Sequence, residues 1–261
     1  MKLSISNIGW DESLNDEVLS YVSSKGYSAI EIAPTVYIKE KPYDNTDKMV
    51  KIKEYLKNKY NLDISSMQSI WYGKTGNIFN EMEVKELIEY TKKAIDFASQ
   101  INCNNLVFGC PKNRCIPDDK SILDIIYFFK ELGDYAYSKN TTLSIEPNPT
   151  IYNTNFINTT KEAFELVKLV DSKGLKVNVD FGTIIENNED VDIVINNLLL
   201  VNHIHISEPY LEKIKMRNIH KLFSDKLKNT NYNCYVSIEM KKQDNIEDIK
   251  KVIDYVYDIF N

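Results

Sequence analysis

The chain has 261 residues, of which 43% are hydrophobic and 27% are charged, a composition typical of soluble globular proteins. With 8 Gly, 7 Pro and 4 Cys, it excludes disordered, collagen-like, mucin-like and disulfide-scaffold proteins. The 32 Lys and Arg residues against 38 Asp and Glu residues give a formal net charge of −6. Because proteins that grip nucleic acid usually carry a basic surplus, we expect a small-molecule partner and no nucleic acid.

The chain also lacks the features of a membrane or secreted protein. No segment approaches the roughly 18 apolar residues of a membrane span, and the first residues lack the basic start and apolar core of a secretory signal. The four cysteines form no CxxC pair, which indicates reduced thiols. We therefore expect a cytoplasmic protein without a membrane partner, and a homo-oligomer stays open.

Short strand-like segments recur along the whole chain and are separated by longer helical segments. The predicted strands are Lys2–Ile8, Ala29–Ala33, Asp63–Ile70, Asn105–Gly109, Thr141–Glu146, Leu175–Asp180, Val201–Ser207 and Asn233–Glu239. Apolar residues repeat at helical spacing in several of the intervening segments. They predict helices over Glu81–Gln100, Ser121–Lys139, Thr160–Val170 and Ile246–Phe260. One strand and one helix per ~30 residues is the size of a βα repeat.

This alternation predicts a parallel sheet covered by helices, and eight units favour a closed barrel. An open sheet of the dinucleotide-binding type would want a glycine-rich turn after its first strand, but the turn after the first strand here contains only Gly9. No linker of low complexity interrupts the chain. The predicted fold class is therefore α/β, a single-domain (β/α)8 TIM barrel over residues 1–261.

Each of the last four strands has one apolar and one polar face, because strand residues alternate sides. In the fifth strand, for example, Leu143 and Ile145 oppose Ser144 and Glu146. The apolar face must meet the helices, so the polar face must line the barrel. On three of these strands that polar face ends in an acidic residue, Glu146, Asp180 or Glu239, and on the remaining strand it carries His205, so four successive strands each offer a residue type able to bind metal.

Carboxylates inside a barrel are unfavourable unless they are paired, protonated or bound to metal. Taken singly, an acidic residue at a strand end is usually a helix cap or a solvated residue. Three carboxylates that converge on one point would repel one another, and a divalent cation removes that repulsion. Barrel active sites lie at the C-terminal ends of the strands, so the four residues together predict a metal site there.

At these strand ends the sequence resembles the xylose isomerase-like TIM barrel superfamily, which includes sugar phosphate isomerases and epimerases, over essentially its whole length. The resemblance lies in the segments SIEPNP at 144–149, NVDFGT at 178–183, HIHISE at 203–208 and SIEM at 237–240. It implies that Glu146, Asp180, His205 and Glu239 bind one divalent ion, either Mn²⁺, Co²⁺, Zn²⁺ or Mg²⁺.

The resemblance also implies that Glu146 and Glu239 are the catalytic acid and base, moving a proton next to a carbonyl group in a sugar, sugar phosphate or related polyol. Two departures from the family pattern concern the substrate contacts. Thr183 replaces the usual histidine, and no arginine or lysine closely follows His205. A dehydratase of a cyclic polyol ketone on the same metal site, or a non-catalytic binding barrel, therefore stays open. An abasic-site endonuclease would need more than the three histidines present.

Further candidates for substrate binding lie at or just after strand ends. Lys112 and Arg114 follow the fourth strand, where they would suit a phosphate or carboxylate or belong to a solvated loop. Trp71 would pack on a sugar ring or in the core. The complete predicted substrate-binding set is Lys112, Arg114, His203, Thr183, Glu31, Gln68 and Trp71.

Overall fold

The computed structural model describes residues 1–261 and shows eight parallel strands that pair in chain order. The last strand pairs with the first, which closes the barrel. The strands are β1 (Lys2–Ser6), β2 (Ala29–Ile32), β3 (Asp63–Met67), β4 (Leu106–Phe108), β5 (Leu143–Ile145), β6 (Leu175–Asp180), β7 (Val201–Ile206) and β8 (Tyr235–Ile238). The predicted TIM barrel is confirmed.

Helices surround the barrel, and none of them combines the length and the hydropathy needed to cross a bilayer. They are α1 (Asn15–Ser24), α2 (Pro34–Tyr37), α3 (Thr46–Tyr60), α4 (Val84–Gln100), α5 (Ile126–Ser138), α6 (Thr160–Val170), α7 (Phe181–Asn187), α8 (Asp192–Ile195), α9 (Asn218–Leu227) and α10 (Ile246–Phe260). The segment predicted as one helix over Ser121–Lys139 begins instead with a 3₁₀ turn at Ile122–Ile125 and continues as α5.

The predicted division of the strands into two faces holds in β5 and β6. Leu143, Ile145 and Val177 are wholly buried in the hydrophobic core, and each such side chain contributes about 1.5–3 kcal/mol through burial. Their neighbours Ser144 and Asn178 are buried on the opposite, inward face, where they bond to other polar side chains. The barrel interior is therefore polar, as the alternation of residues predicts.

The strands end one residue earlier than predicted at two important positions. Glu146 follows β5 and Glu239 follows β8. The Glu146 backbone N–H still donates to the Phe108 carbonyl at 3.0 Å, and that of Glu239 donates to the Ile206 carbonyl at 3.0 Å. These two bonds hold both carboxylates at the C-terminal rim although the regular ladder has ended.

Candidate functional site

A cavity of about 250 Å³ lies at the C-terminal end of the barrel. Three carboxylates, of Glu146, Asp180 and Glu239, line it together with side chains from the loops after β3, β4, β5 and β7. The loop residues are Gln68, Ser69, Gly109, Cys110, Pro111, Asn148, Tyr152 and Leu211. The cavity therefore opens at the face where TIM barrels carry their active sites.

The four predicted metal ligands converge at the floor of this cavity, which three of them line, whereas His205 lies just beneath it. One ligand atom from each of Glu146, Asp180, His205 and Glu239 lies within 4.8 Å of the other three. His205 is wholly buried, and its Nδ1 lies 3.0 Å from Glu146 Oε1 and 3.1 Å from Glu239 Oε2. The structure thus brings together residues that are up to 93 positions apart in the chain.

Asp180 is fixed by the junction between β6 and α7, because it ends the strand and caps the helix. Its Oδ2 accepts from the Thr183 N–H at 2.7 Å, and the Thr183 hydroxyl lies 2.7 Å from the same oxygen. The Ser207 hydroxyl bonds to Oδ1. A capping aspartate gains from the partial positive charge at a helix N-terminus, so the fold itself holds this carboxylate at the strand end.

Glu146 is held by two side-chain amides. Asn178 Nδ2 donates to Oε1 at 2.7 Å, and Asn148 Nδ2 donates to Oε2 at 3.2 Å. Behind Asn148, Arg114 Nη2 donates to Asn148 Oδ1 at 2.9 Å, which sets the orientation of that amide. The backbone of Gly109 passes so close to Oε2 that only glycine leaves room for the carboxylate.

Glu239 is held by Gln68, which lies just after β3. Gln68 Nε2 donates to Glu239 Oε1 and to Ser6 Oγ, both at 2.8 Å. The Ser69 hydroxyl donates to Gln68 Oε1 at 2.8 Å, so the amide group has its nitrogen directed at the carboxylate. Both glutamates are thus oriented by side-chain amide donors from other segments of the barrel.

Comparison with known proteins agrees with this geometry. The sequence model that describes xylose isomerase-like TIM barrels matches residues 19–259. The chain belongs to that family. No curated protein matches it by sequence.

Solved structures of similar fold include several sugar epimerases. A 3-keto-D-glucoside 4-epimerase from E. coli is 16% identical, with a TM-score of 0.77 over 98% of both chains. A D-psicose 3-epimerase from Clostridium cellulolyticum H10 is 14% identical, with a TM-score of 0.79 over 100% of both chains. A probable 3-DHS dehydratase from Bacillus anthracis is 18% identical, with a TM-score of 0.68 over 99% of this chain and 98% of that one. At these identities the similarity demonstrates the shared fold.

The electrostatics of this xylose isomerase-like site favour a bound cation. Burial, reinforced by the charge of Glu146, raises the pKa of Asp180 to about 6, and burial also raises the pKa of Glu239. Burial opposes a charge on His205, but the carboxylates of Glu239 and Glu31 raise its pKa well above the ordinary value. One imidazole thus faces several carboxylates, and a divalent ion among carboxylate and imidazole ligands would relieve that imbalance.

The two cations predicted on the loop after β4 do not line the cavity. Lys112 is exposed outside it. Arg114 is wholly buried, and burial lowers its pKa to about 10. The predicted position of Arg114 on an exposed loop is therefore corrected. The chain turns inward there because Cys110 has a left-handed backbone conformation and Pro111–Asn113 forms a 3₁₀ turn.

Trp71 also lies outside the cavity, in the core. Its Nε1 donates to Thr91 Oγ1 at 2.9 Å. Its ring packs edge-on against the Phe108 ring, with 4.9 Å between the ring centroids. Core packing, the alternative that the sequence left open, thus describes this residue.

Three other predicted substrate residues, Glu31, His203 and Thr183, are buried beneath or beside the ligands and do not reach the cavity. Of the predicted substrate-binding set, Gln68 alone lines it.

Asn148 and Tyr152 are among the cavity residues that were not predicted from the sequence. Asn148 lies two positions after Glu146 in the SIEPNP segment, and that spacing was a usable signal for a residue near the carboxylate. Tyr152 lies in the loop after β5, and its hydroxyl accepts the Tyr210 N–H at 2.8 Å. No local pattern marks Tyr152, because its position depends on the contact between two loops.

Proposed function

We propose that the protein is a metal-dependent isomerase or epimerase that acts on a sugar, sugar phosphate or related polyol. The observation that carries this proposal is the pair of glutamates, Glu146 and Glu239, which face the same cavity and both approach His205 Nδ1, at 3.0 and 3.1 Å. The similarity of the fold to several sugar epimerases supports the same reaction class.

The residues at the cavity suit one divalent ion. Glu146, Asp180 and Glu239 would supply carboxylate oxygens, and His205 would supply Nδ1. This mixed oxygen and nitrogen set favours Mn²⁺, Co²⁺, Zn²⁺ or Mg²⁺ over a thiolate-seeking ion. When bound, the ion would stabilise negative charge that develops on the substrate carbonyl oxygen.

The side chains of the protein would carry out the proton transfer. One glutamate takes a proton from the carbon next to the carbonyl group, and the other returns a proton to complete the isomerisation or epimerisation. Gln68, Asn148 and Asn178 keep the two carboxylates oriented through their amide N–H groups.

The size of the cavity supports a small substrate. Its volume of about 250 Å³ lies below the ~300–1,000 Å³ of sites for drug-sized ligands. A single sugar ring or an open-chain sugar is a ligand of suitable size, whereas an oligosaccharide would have to extend out of the barrel.

A dehydratase is the second candidate, because the sequence departs from the family pattern at two positions that were expected to contact the substrate. Thr183 directs its hydroxyl toward Asp180 and the Pro147 carbonyl, so no imidazole occupies that position. Arg217 is bound to Glu208 by two bonds, at 2.7 and 2.5 Å. The similarity to a probable 3-DHS dehydratase supports this alternative. One glutamate would then take the proton next to the carbonyl group, and the other would donate a proton to the departing β-hydroxyl group, which leaves as water.

One assay separates these candidates. Ketoses, their phosphates and inososes are incubated with the protein and Mn²⁺, Co²⁺ or Mg²⁺ in D₂O, and products are identified by NMR. An epimerase or isomerase should place deuterium on the carbon next to the carbonyl, whereas a dehydratase should form an unsaturated product. Isomerisation without any solvent exchange would contradict proton transfer and indicate a hydride shift.

Variants test the assigned residues. Glu146→Gln and Glu239→Gln should each abolish turnover, because each removes a proton-transferring carboxylate. Glu212→Gln is the matched control, since Glu212 is exposed and pairs with Lys241 on the surface. A glutamine variant that keeps wild-type turnover with metal bound would show that the base lies elsewhere.

A further inference from the structure

A second polar layer lies beneath the candidate metal ligands. Glu31 is in β2, is wholly buried and does not line the cavity. Its Oε2 lies 2.9 Å from His205 Nε2 and 3.0 Å from His203 Nε2. In the closed barrel β1 and β8 separate β2 from β7, so these contacts cross the barrel interior.

His205 therefore has different partners on the two edges of its ring. Its Nδ1 is directed at Glu146 and Glu239, at 3.0 and 3.1 Å, and its Nε2 is directed at Glu31. An imidazole that binds a metal ion is neutral and therefore carries one N–H group and one lone pair. An ionised carboxylate accepts hydrogen bonds and cannot donate one. Glu31 therefore favours the His205 tautomer that carries its hydrogen on Nε2.

That tautomer leaves the Nδ1 lone pair directed at the other carboxylates. Histidines that bind metal commonly donate their second ring N–H to a carboxylate, which fixes the ring and makes the ligand nitrogen more basic. We propose that Glu31 is a positioning residue that holds His205 with its Nδ1 available to a divalent ion. This inference rests on the metal site of the proposed function.

His203 supports the arrangement through packing. Its ring packs edge-on against the His205 ring, with 5.2 Å between the ring centroids and an interplanar angle of 89°. This packing restricts rotation of the His205 ring. Ligand atoms of Glu31, His203 and His205 also lie within 4.8 Å of one another, so a second ion is the rival explanation. It would require His205 to bind metal through both ring nitrogens, in a layer that is at most 1% exposed.

Metal titration distinguishes the two explanations. Wild type, Glu31→Gln and Glu208→Gln are titrated with Mn²⁺, and stoichiometry and Kd are measured. Glu208 is the matched control because it is a buried carboxylate of the same barrel that bonds to Arg217 and to none of the four ligands. We expect one ion per wild-type chain, affinity weakened by about 10–100-fold in Glu31→Gln, and unchanged affinity in Glu208→Gln.

A spectroscopic measurement on the wild type tests the tautomer of His205 without replacing Glu31. The chain has three histidines, so ¹⁵N NMR of the Zn²⁺-loaded protein can be assigned with His203→Gln and His220→Gln variants. A proton on His205 Nε2 is expected, and a proton on Nδ1 would overturn the inference. Two ions per chain would also overturn it, by making Glu31 and His203 ligands.

The titration also separates the inference from the proposed function. Wild type that binds no ion would refute both. One ion bound with equal affinity by wild type and Glu31→Gln would refute the role of Glu31 alone and leave the metal site standing.

Discussion

Replacing Gly109 with alanine should damage the site without damaging the fold. A Cβ at this position would lie 2.7 Å from Glu146 Oε2 and 3.4 Å from Asn148 Oδ1. Ordinary van der Waals contact begins at about 3.4 Å. The carboxylate must therefore move away from the new Cβ by about 0.7 Å, the difference between 3.4 Å and 2.7 Å. The backbone of Gly109 does not adopt positive φ, and alanine therefore adds no backbone strain.

The displaced atom is the end of a side chain that borders a cavity. We expect the free energy of unfolding to change by less than about 1 kcal/mol, below the ~1–3 kcal/mol of overpacking a closed core. A misplacement of about 1 Å at a reacting group can cost about 10²-fold in rate. Gly109→Ala should therefore lower kcat/KM by about 10–100-fold and also weaken Mn²⁺ binding.

The assay is turnover of the substrate identified by NMR, together with urea unfolding and Mn²⁺ titration. Gly9→Ala is the control, because a Cβ there would lie 3.8 Å from Met240, an ordinary contact. Wild-type turnover and wild-type affinity in Gly109→Ala would refute the reasoning. An equal loss in both variants would refute it as well, since the close approach to Glu146 would then not be the cause.

Three further outcomes are expected. Burial lowers the pKa of His220 from 6.5 to about 4. Between these pH values the unfolded chain binds a proton that the native chain does not. The free energy of unfolding should therefore fall by up to about 3 kcal/mol as the pH drops from 6.5 to 4. His220→Phe should flatten this part of the curve in urea titrations at several pH values. Thr183→Val should cost about 1–3 kcal/mol by leaving the Pro147 carbonyl without its donor, and Thr183→Ser should restore the loss. Elemental analysis should find about one divalent ion per chain, and none in Glu146→Gln/Asp180→Asn.

The candidate ligands could be predicted because they depend on two regular properties of strands. Alternation places Asp180 and His205 on the inward face, and the repeat of one strand per ~30 residues places them on successive strands. Neither property depends on details of packing. The convergence of all four ligand atoms within 4.8 Å follows once the barrel closes.

The depth of a residue within the barrel could not be predicted in the same way. Glu31 and Gln68 both lie near strand ends in the sequence, and both were predicted to bind the substrate. In the structure Glu31 pairs with Ser66 after a register shift in β2, two positions before Gln68. The alternation of residues shows which face of a strand a side chain takes, but it does not reveal an irregular shift of this kind. Because of the shift, Glu31 lies one layer lower, and Gln68 alone reaches the cavity.

The inward direction of the loop after β4 could not be predicted from the sequence either. Arg114 follows a turn that starts at Cys110 with φ of 46°, a conformation that a non-glycine residue rarely adopts. No local sequence pattern predicts that turn. The buried guanidinium then bonds to Asn148, which lies 34 positions later in the chain.

The pairing of β1 with β8 also has a consequence during protein synthesis. Leu3 pairs with Val236, 233 positions later, and at about 5–20 residues per second the ribosome needs roughly 10–50 s to produce that stretch. For this interval one edge of β1 has no partner strand, and unpaired edges promote aggregation. Glu239 emerges just after Val236. A partly synthesised chain therefore cannot present all four candidate ligands, and no metal ion can assemble the complete site before the last strand has been made.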